Sequence, residues 1–303
     1  MRFTLLALVL ASQSGASAQQ APCFGAYSRC ANGACALTPD ACAACPAGQG
    51  YACPLSATCA ADAAAVAGCA GSSGTHYDPS LSIEARLDYL FAQSLTTEEL
   101  ISQMTDNATA IPRLAIPAYV WLDDDQHGVK QPDATAFPNG NAFGASWDVD
   151  LLERIGLAIG TEARGVFNTL LDKSATTGGS GWPGTLRNGA TLTAYAPNVN
   201  LVHDPRWGRA QEVMSECPLL TGALVAAYVN GMQNTSAPGV AETGPLLMGA
   251  CCKHYAVYNV ETVPTDRTLF DAKINARDLW ETYAPVFQSC FVEGHSQSAM
   301  CSK

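Results

Sequence analysis

The stretch TLTAYAPNVNLVHDPRWGR, residues 191–209, decides the fold predicted for this chain of 303 residues. Its first part, residues 191–202, is apolar and β-branched, which is typical of a strand, and its end is charged and aromatic. Further strand-like runs occur at residues 118–123, 246–253 and 298–301. Amphipathic helices are predicted at residues 148–168, 218–232 and 276–293, the last one interrupted at Pro285. This alternation predicts an α/β fold with parallel strands, either as a closed barrel or as an open sheet.

Polar clusters follow three of these strand-like runs. Their sequences are WLDDDQHGV at residues 121–129, PNVNLVHDPRWGR at residues 197–209 and CCKHY at residues 251–255. In α/β folds, functional residues lie at the carboxyl ends of the strands. A carboxylate such as Asp124 accepts hydrogen bonds from two adjacent hydroxyls, while arginine, lysine and tryptophan bind the oxygens and the flat face of a sugar ring. The clusters therefore predict a pocket for carbohydrate.

Each cluster also has a purely structural interpretation. The acidic run at residues 123–125 is typical of a solvated loop, and a divalent-metal site is a further alternative, although no EF-hand spacing follows it. The two arginines of the second cluster can pair with nearby acids, Arg206 with Asp204 and Arg209 with Glu212. His254, at the end of an apolar run, can be a hydrogen-bonded core histidine.

Residues 1–18 have the three parts of a secretory signal peptide. Arg2 supplies the positive charge, residues 3–11 are apolar, and residues 16–18 form the small-residue cleavage site Ala-Ser-Ala. We therefore expect the protein to be secreted and extracellular. The apolar run is too short to predict a membrane span. The net charge of −11 also makes nucleic acid and anionic membranes poor partners, because an acidic chain is repelled by both.

Residues 19–74 form a predicted disulfide-rich module with its linker. Eight of the 13 cysteines lie between Cys23 and Cys69, in a stretch with few large apolar residues that disulfides must hold together. The 105 possible pairings of eight cysteines leave the connectivity open. The CAAC run at residues 42–45 has no second pair and no nearby histidine, which argues against a zinc site. The module is either a structural appendage or an attachment to cell wall or polysaccharide.

Residues 75–303 form the second predicted domain. The run GSSG at residues 71–74 is a flexible linker before it. An Asp-Pro pair at residues 78–79 predicts the start of a first helix, and TTEE at residues 96–99 predicts a capping box that opens a second. These helices lead into the alternating strands and helices.

Several motifs together resemble glycoside hydrolase family 3, and within it the β-xylosidase branch. The resemblance is carried by PNVNLVHDPRWGRAQE at residues 197–212 and by CCKHY at residues 251–255. Shorter matches keep the family's order between residues 77 and 303, at residues 110–119, 137–138, 292–294 and 300–302. The resemblance implies that the second domain is an incomplete (β/α)8 barrel. It also implies a secreted, exo-acting β-glycosidase of the β-xylosidase or β-glucosidase type that hydrolyses polysaccharide or oligosaccharide with retention.

The resemblance also implies roles for four residues. Asp124, Arg206, Lys253 and His254 match the family's residues that hold the non-reducing sugar. Neither a metal nor an organic cofactor is implied. Two departures matter. The branch's Asn-Glu-Ala-Leu-His-Gly is DDDQHG here, so Asp124 is one methylene shorter than glutamate and the preference between xylose and glucose stays open. Cys217 replaces an aspartate before Pro218, which predicts a weaker helix cap.

The matched motifs contain no counterpart of the family's two catalytic carboxylates. The resemblance places the nucleophilic aspartate and the acid/base glutamate beyond Lys303, so we expect no catalytic residue and no hydrolysis in these 303 residues. A non-catalytic secreted protein that binds carbohydrate is the alternative function.

Overall fold

The computed structural model describes residues 28–29, 35–36, 76, 78, 81–114, 116, 118–176, 191–234, 246–262 and 264–302. The predicted signal peptide, most of the Cys-rich module and the boundary at residues 74–75 lie outside these residues. Within the module, strand β1 (Ser28–Arg29) pairs antiparallel with strand β2 (Cys35–Ala36). The chain divides into two compact units, Met1–Trp121 with Phe167–Leu186 and Leu122–Val166 with Arg187–Lys303.

The first unit contains two short capped helices. Helix α1 (Ile83–Ala92) begins after Ser82, whose side-chain oxygen accepts a hydrogen bond from the Ala85 amide at 3.2 Å. The start predicted at residues 78–79 is wrong, because Ser82 supplies the capping oxygen directly before the first helical turn. Helix α2 (Thr97–Ser102) has the predicted capping box, in which the Thr96 and Glu99 side chains each accept from the other's backbone amide.

A hairpin in the first unit replaces the single strand predicted at residues 118–123. Strand β3 (Asn107–Ala108) pairs antiparallel with strand β4 (Tyr119–Val120). Between them, Pro112–Leu114 form a turn of 3₁₀-helix, and Ile111 bridges to Ile116. The predicted strand is therefore shorter than expected and is antiparallel, because its neighbour in the sheet is a local segment.

The second unit is built on a parallel sheet. Its strands are β5 (Thr193–Ala194), β6 (Gly249–Tyr255) and β7 (Ser298–Cys301), with β6 in the middle. Parallel strands joined by long connections confirm the α/β prediction. Strand β5 is shorter than the predicted run at residues 191–202, because its pairing with β6 shifts by one residue between Ala194, opposite Ala250, and Asn198, opposite Lys253. Isolated parallel bridges extend the pairing, from Asp123 to Ala194 and from Asn198 to Lys253.

Helices form the connections of the second unit. Helix α3 (Gly140–Ser146), which the sequence analysis did not predict, precedes helix α4 (Val149–Thr176) and helix α5 (Pro218–Gln233), which it did. Cys217 is the N-cap of α5 and makes no side-chain capping bond, as predicted. No helix in the described part of the chain is both long and apolar enough to cross a membrane.

The last helical stretch is continuous across Pro285. It consists of α6 (Ala276–Asp278) and α7 (Ala284–Gln288), each followed by a π-helical segment, Leu279–Tyr283 and Ser289–Glu293. The predicted interruption at Pro285 is instead a change of hydrogen-bond pattern, because the helix passes from π-helical to α-helical geometry at Ala284, directly before the proline. One disulfide lies among the described residues. It joins Cys252 of β6 to Cys290 of this stretch, and both residues are buried.

Two glycines bring helices α4 and α5 into backbone contact. A Cβ atom at Gly160 would lie 2.2 Å from the carbonyl oxygen of Met232, and one at Gly156 would lie 2.2 Å from that of Tyr228. The surrounding core contains the buried side chains of Leu152, Ile159, Leu224, Val225 and Met232. The interface therefore has no room for a side chain at either glycine.

We predict that Gly160→Ala lowers the free energy of unfolding by about 1–3 kcal/mol, because the new methyl group overpacks the contact between the helices. Gly165→Ala in the same helix is the matched control. A Cβ atom there would meet no described atom within 4 Å, so the higher helix propensity of alanine stabilises the protein by roughly 0.5–1 kcal/mol. Urea unfolding of both variants measures the difference. Equal effects at the two positions would contradict the proposed close contact.

Candidate functional site

The second unit contains a cavity of about 310 Å³ at the carboxyl ends of its strands. Residues that follow or end all three strands line it, namely Tyr195, Lys253, His254 and Met300. The remaining lining residues are Leu122, Asp123, Asp124, Lys130 and Arg209. The three polar clusters of the sequence therefore meet at one cavity, as predicted from their positions after strands.

Asp124 and Lys253 form an ion pair in this cavity. The Lys253 Nζ atom donates to Asp124 Oδ1 at 2.7 Å, and Lys130 Nζ lies 3.9 Å from Asp124 Oδ2. The side chain of Lys253 is only 5% exposed, whereas that of Asp124 is 43% exposed. A buried ammonium group is costly unless it is paired, so the contact with Asp124 offsets the burial of Lys253, while Asp124 itself is exposed to the cavity.

Arg209 is held by two hydrogen bonds to Glu212. Its Nε and Nη2 atoms donate to Glu212 Oε1 and Oε2 at 2.7 and 2.6 Å, and its guanidinium lies 5.8 Å from the ring centre of Tyr258. Burial lowers the pKa of Arg209, but the hydrogen bonds and charge of Glu212 outweigh burial and raise it above its ordinary value. The remaining Nη1 atom donates to His254 Nε2 at 3.1 Å. Arg209 thus both pairs structurally and lines the cavity.

Arg206 does not line the cavity. Its side chain is 88% exposed and pairs with Asp204 at 2.5 Å. Between the two arginines, Trp207 is 4% exposed and packs edge-on against Tyr258. Because Trp207 anchors the turn in the protein, Arg206 points to solvent and Arg209 points to the cavity. The sequence expectation that Arg206 reaches the site is therefore wrong, because Arg209 lines the cavity in its place, and the structural pairing of Arg206 with Asp204 is confirmed.

His254 is buried but is also a wall of the cavity. It is 2% exposed, and its ring contacts Asn200, Arg209 and Tyr258. His254 is therefore a hydrogen-bonded core histidine, as one interpretation of the sequence predicted, and its ring also lines the cavity.

A buried hydrogen-bond network supports these side chains from behind. Asn198 Nδ2 donates to Glu212 Oε2 at 3.2 Å, and the Asn198 amide donates to Gln126 Oε1 at 2.8 Å. Gln126 Nε2 in turn donates to the Glu212 carbonyl oxygen at 3.3 Å. The network joins the first and second sequence clusters and fixes the carboxylate that holds Arg209.

The acidic run at residues 123–125 is not a solvated loop. Asp123 and Asp125 are 2% and 0% exposed, whereas Asp124 faces the cavity. The Asp125 carboxyl has no hydrogen-bond partner, although the Lys130 backbone amide lies close enough to favour the charged form. Burial above all, and then the charge of Asp123, raise the pKa of Asp125 to about 8. Within the described residues, no group of three or more His, Cys, Asp or Glu side chains is arranged to hold a metal ion.

Comparison of the amino-acid sequence with known proteins identifies the family of this chain. The model of the Glycosyl hydrolase family 3 N terminal domain matches residues 186–303. Beta-D-xylosidase 3 of Arabidopsis thaliana is 38% identical over 234 residues, which cover 73% of this chain and 27% of that protein. Beta-xylosidase/alpha-L-arabinofuranosidase 1 of Medicago sativa subsp. varia is 36% identical over 237 residues, 74% of this chain and 28% of that protein. The chain belongs to glycoside hydrolase family 3.

Solved structures of family 3 proteins share the fold. A GH3 exo-beta-xylosidase (XlnD) in complex with a xylobiose aziridine activity-based probe is 26% identical, with a TM-score of 0.60 over 74% of this chain and 27% of that chain. A GH3 beta-glucosidase of Bifidobacterium adolescentis is 26% identical, with a TM-score of 0.52 over 70% of this chain and 27% of that chain. This family 3 chain spans little more than a quarter of the length of the curated relatives, 27% and 28% of the two named above.

Sequence reasoning about this family 3 chain missed the supporting residues. Asn198, Asn200 and Gln126 lie inside the quoted motifs but carry no charge, and their roles depend on contacts across as many as 86 residues of sequence. Tyr195, Leu122 and Met300 are ordinary core types that reach the cavity only because of where their strands end. The spacing of Arg209 and Glu212, three residues apart, indicates that the two side chains can pair. It does not indicate that the pair lines the cavity.

We predict that Asp125→Ala raises the free energy of unfolding at pH 7 by on the order of 4 kcal/mol. The unfolded chain ionises this carboxyl near pH 4, whereas the folded protein keeps it protonated up to about pH 8. Between these values the folded state binds more protons, so stability falls as pH rises.

Urea unfolding from pH 4 to pH 9 measures this slope. We expect the stability of Asp125→Ala to fall much less with rising pH than that of the unmodified chain. Asp133→Ala, which removes an exposed carboxylate, should show the same fall as the unmodified chain. An unchanged slope in Asp125→Ala would show that this carboxyl ionises freely in the folded protein.

Proposed function

We propose that the cavity holds the terminal xylose or glucose unit of a β-linked oligosaccharide. The observation that carries the proposal is one cavity with the Asp124–Lys253 ion pair, the Arg209 guanidinium and the His254 ring. Each sugar hydroxyl both donates and accepts, so it is matched by a carboxylate beside an ammonium group. The names of the relatives, β-xylosidases and a β-glucosidase, support a sugar of this kind.

The size of the cavity supports a single sugar ring. A volume of about 310 Å³ is at the small end of ligand sites, which range from about 300 to 1,000 Å³. The open oxygen of Asp124 is available to hydroxyl donors, and Lys253 and Arg209 supply hydrogen-bond donors from partly dry positions. Xylose and glucose differ by one hydroxymethyl group, and the short side chain of Asp124 leaves space for either.

The carboxylates of the cavity are assigned to holding the sugar. A retaining glycosidase uses two carboxyl groups about 5–5.5 Å apart, one as nucleophile and one as acid/base. Asp124 is committed to Lys253, and Asp123 accepts the backbone amides of Asp124 at 3.0 Å and Thr191 at 3.5 Å. In this proposal the two reacting carboxylates lie outside the described cavity, and these residues supply binding.

The wider proposal is that this chain is the sugar-holding part of a secreted, exo-acting β-glycosidase that acts with retention. Its parallel strands are proposed to belong to a (β/α)8 barrel, supported by the parallel sheet and by membership of family 3. The signal-like residues 1–18 support secretion. Attachment to cell wall through residues 19–74 stays a prediction.

A non-catalytic carbohydrate-binding protein is the second candidate function. The commitment of both cavity carboxylates to other protein groups favours it, because neither is placed to attack a sugar. Turnover of an aryl β-xyloside by the purified chain tests the assignment of the cavity carboxylates that both candidates share. We expect sugar binding without turnover from these 303 residues, and hydrolysis would contradict the assignment of Asp123 and Asp124.

We predict that Arg209→Ala weakens xylose binding by at least roughly tenfold, because it removes a charge-assisted donor and frees Glu212. Isothermal titration calorimetry with xylose and with glucose measures the loss of affinity. Circular dichroism of the free variant confirms that it is folded.

Arg206→Ala is the matched control from the same motif. Its side chain is exposed and paired with Asp204, so we expect xylose affinity to stay within about twofold of the unmodified chain. A large loss in Arg206→Ala with none in Arg209→Ala would overturn the location of the sugar.

A further inference from the structure

The orientation of the Asn200 side chain is fixed by two backbone groups of His254. The His254 amide donates to Asn200 Oδ1 at 2.9 Å, and Asn200 Nδ2 donates to the His254 carbonyl oxygen at 3.0 Å. A backbone N–H only donates and a carbonyl oxygen only accepts, so the amide cannot be turned over without losing both bonds. The oxygen of Asn200 therefore faces His254.

This orientation determines which ring nitrogen of His254 carries a proton. Asn200 Oδ1 lies 3.2 Å from His254 Nδ1. An amide oxygen has no hydrogen to donate, so the contact is a hydrogen bond only if Nδ1 carries the proton. Asn200 is 3% exposed, so no bulk water competes for this nitrogen.

Arg209 determines the state of the other ring nitrogen. Its Nη1 atom lies 3.1 Å from His254 Nε2. Arginine has five N–H donors and no acceptor, so Nε2 must offer its lone pair. A proton on Nε2 would oppose the arginine hydrogen and would place a second positive charge beside the guanidinium.

We propose that Asn200 is a positioning residue that holds His254 as the neutral, Nδ1-protonated tautomer. In this state Nε2 is an acceptor that shares one corner of the cavity with the donor Arg209. The proposal rests on the proposed function for its consequence. A sugar hydroxyl entering this corner donates its hydrogen to His254 Nε2 and accepts one from Arg209, so the pair recognises a hydroxyl as Asp124 and Lys253 do.

The test is the long-range ¹H–¹⁵N NMR spectrum of the ¹⁵N-labelled full chain, which distinguishes the two tautomers and the charged ring of a histidine. The chain has five histidines, and the signal of His254 is identified by its loss in His254→Gln. We expect the Nδ1-protonated pattern in the unmodified chain. An Nε2-protonated or doubly protonated ring there would overturn the proposal.

Two substitutions separate positioning from mere structural support. In Asn200→Ala the acceptor for Nδ1 is gone and only Arg209 still opposes a proton on Nε2, so we expect a measurable fraction of the ring, absent in the unmodified chain, to carry its proton on Nε2. In Asn200→Asp the acceptor for Nδ1 remains, so Nδ1 is expected to stay protonated. Asn230→Ala, which removes an amide that bonds the Glu293 carbonyl oxygen at 2.9 Å, is the control and should leave the His254 signal unchanged.

Xylose titration of the same samples keeps the two proposals distinguishable. We expect Asn200→Ala to bind xylose roughly tenfold more weakly than the unmodified chain, with partial recovery in Asn200→Asp. If the unmodified chain shows the Nδ1-protonated ring but binds no xylose, the proposed function fails and the tautomer assignment stands. If Asn200→Ala leaves the His254 spectrum unchanged, the positioning role is wrong whether or not the sugar binds.

Discussion

The ammonium group of Lys253 is almost completely buried near the end of the central strand, and the site is arranged around the carboxylate that pairs with it. Its partner is Asp124 at 2.7 Å, which comes from a different part of the sequence. A buried charge that loses its partner costs several kcal/mol, so this one contact fixes the end of β6 against the segment that carries Asp124. Arg209 and Glu212 repeat the arrangement with a partly buried guanidinium. In both pairs one carboxylate holds a cation in the wall of the cavity. The cation is therefore already oriented before a ligand binds.

The neutral side chains behind these pairs determine how precisely they are held. Asn198 and Gln126 fix Glu212, and Asn200 fixes both the backbone and the ring of His254. The disulfide between Cys252 and Cys290 ties the same strand to the last helix. Asp125 has the opposite effect, because its carboxyl is buried without a hydrogen bond and its neutral form must be maintained.

The long helices and the convergence of the polar clusters were predictable because both follow from periodic, local patterns. Helices α4 and α5 have apolar residues at helical spacing over many turns, and strand ends of a parallel sheet meet at one edge. The bounds and pairing of the short strands were not predictable, because Thr193–Ala194 and Tyr119–Val120 are defined by their neighbours rather than by their own residues. The choice between Arg206 and Arg209 failed for a similar reason. The motif contains both, and only the burial of Trp207 in the folded turn decides which of them faces the cavity.

In the proposed function a sugar ring binds between the Asp124–Lys253 pair and the Arg209–His254 pair. A crystal structure of the chain soaked with xylose is the first test of this placement. We expect density for one ring in the cavity of about 310 Å³, with hydroxyls within hydrogen-bond distance of Asp124, Lys253 and Arg209, and with Arg206 still in solvent. A ring bound beside Arg206, or a cavity that stays filled with water at saturating xylose, would show that the sugar does not bind there.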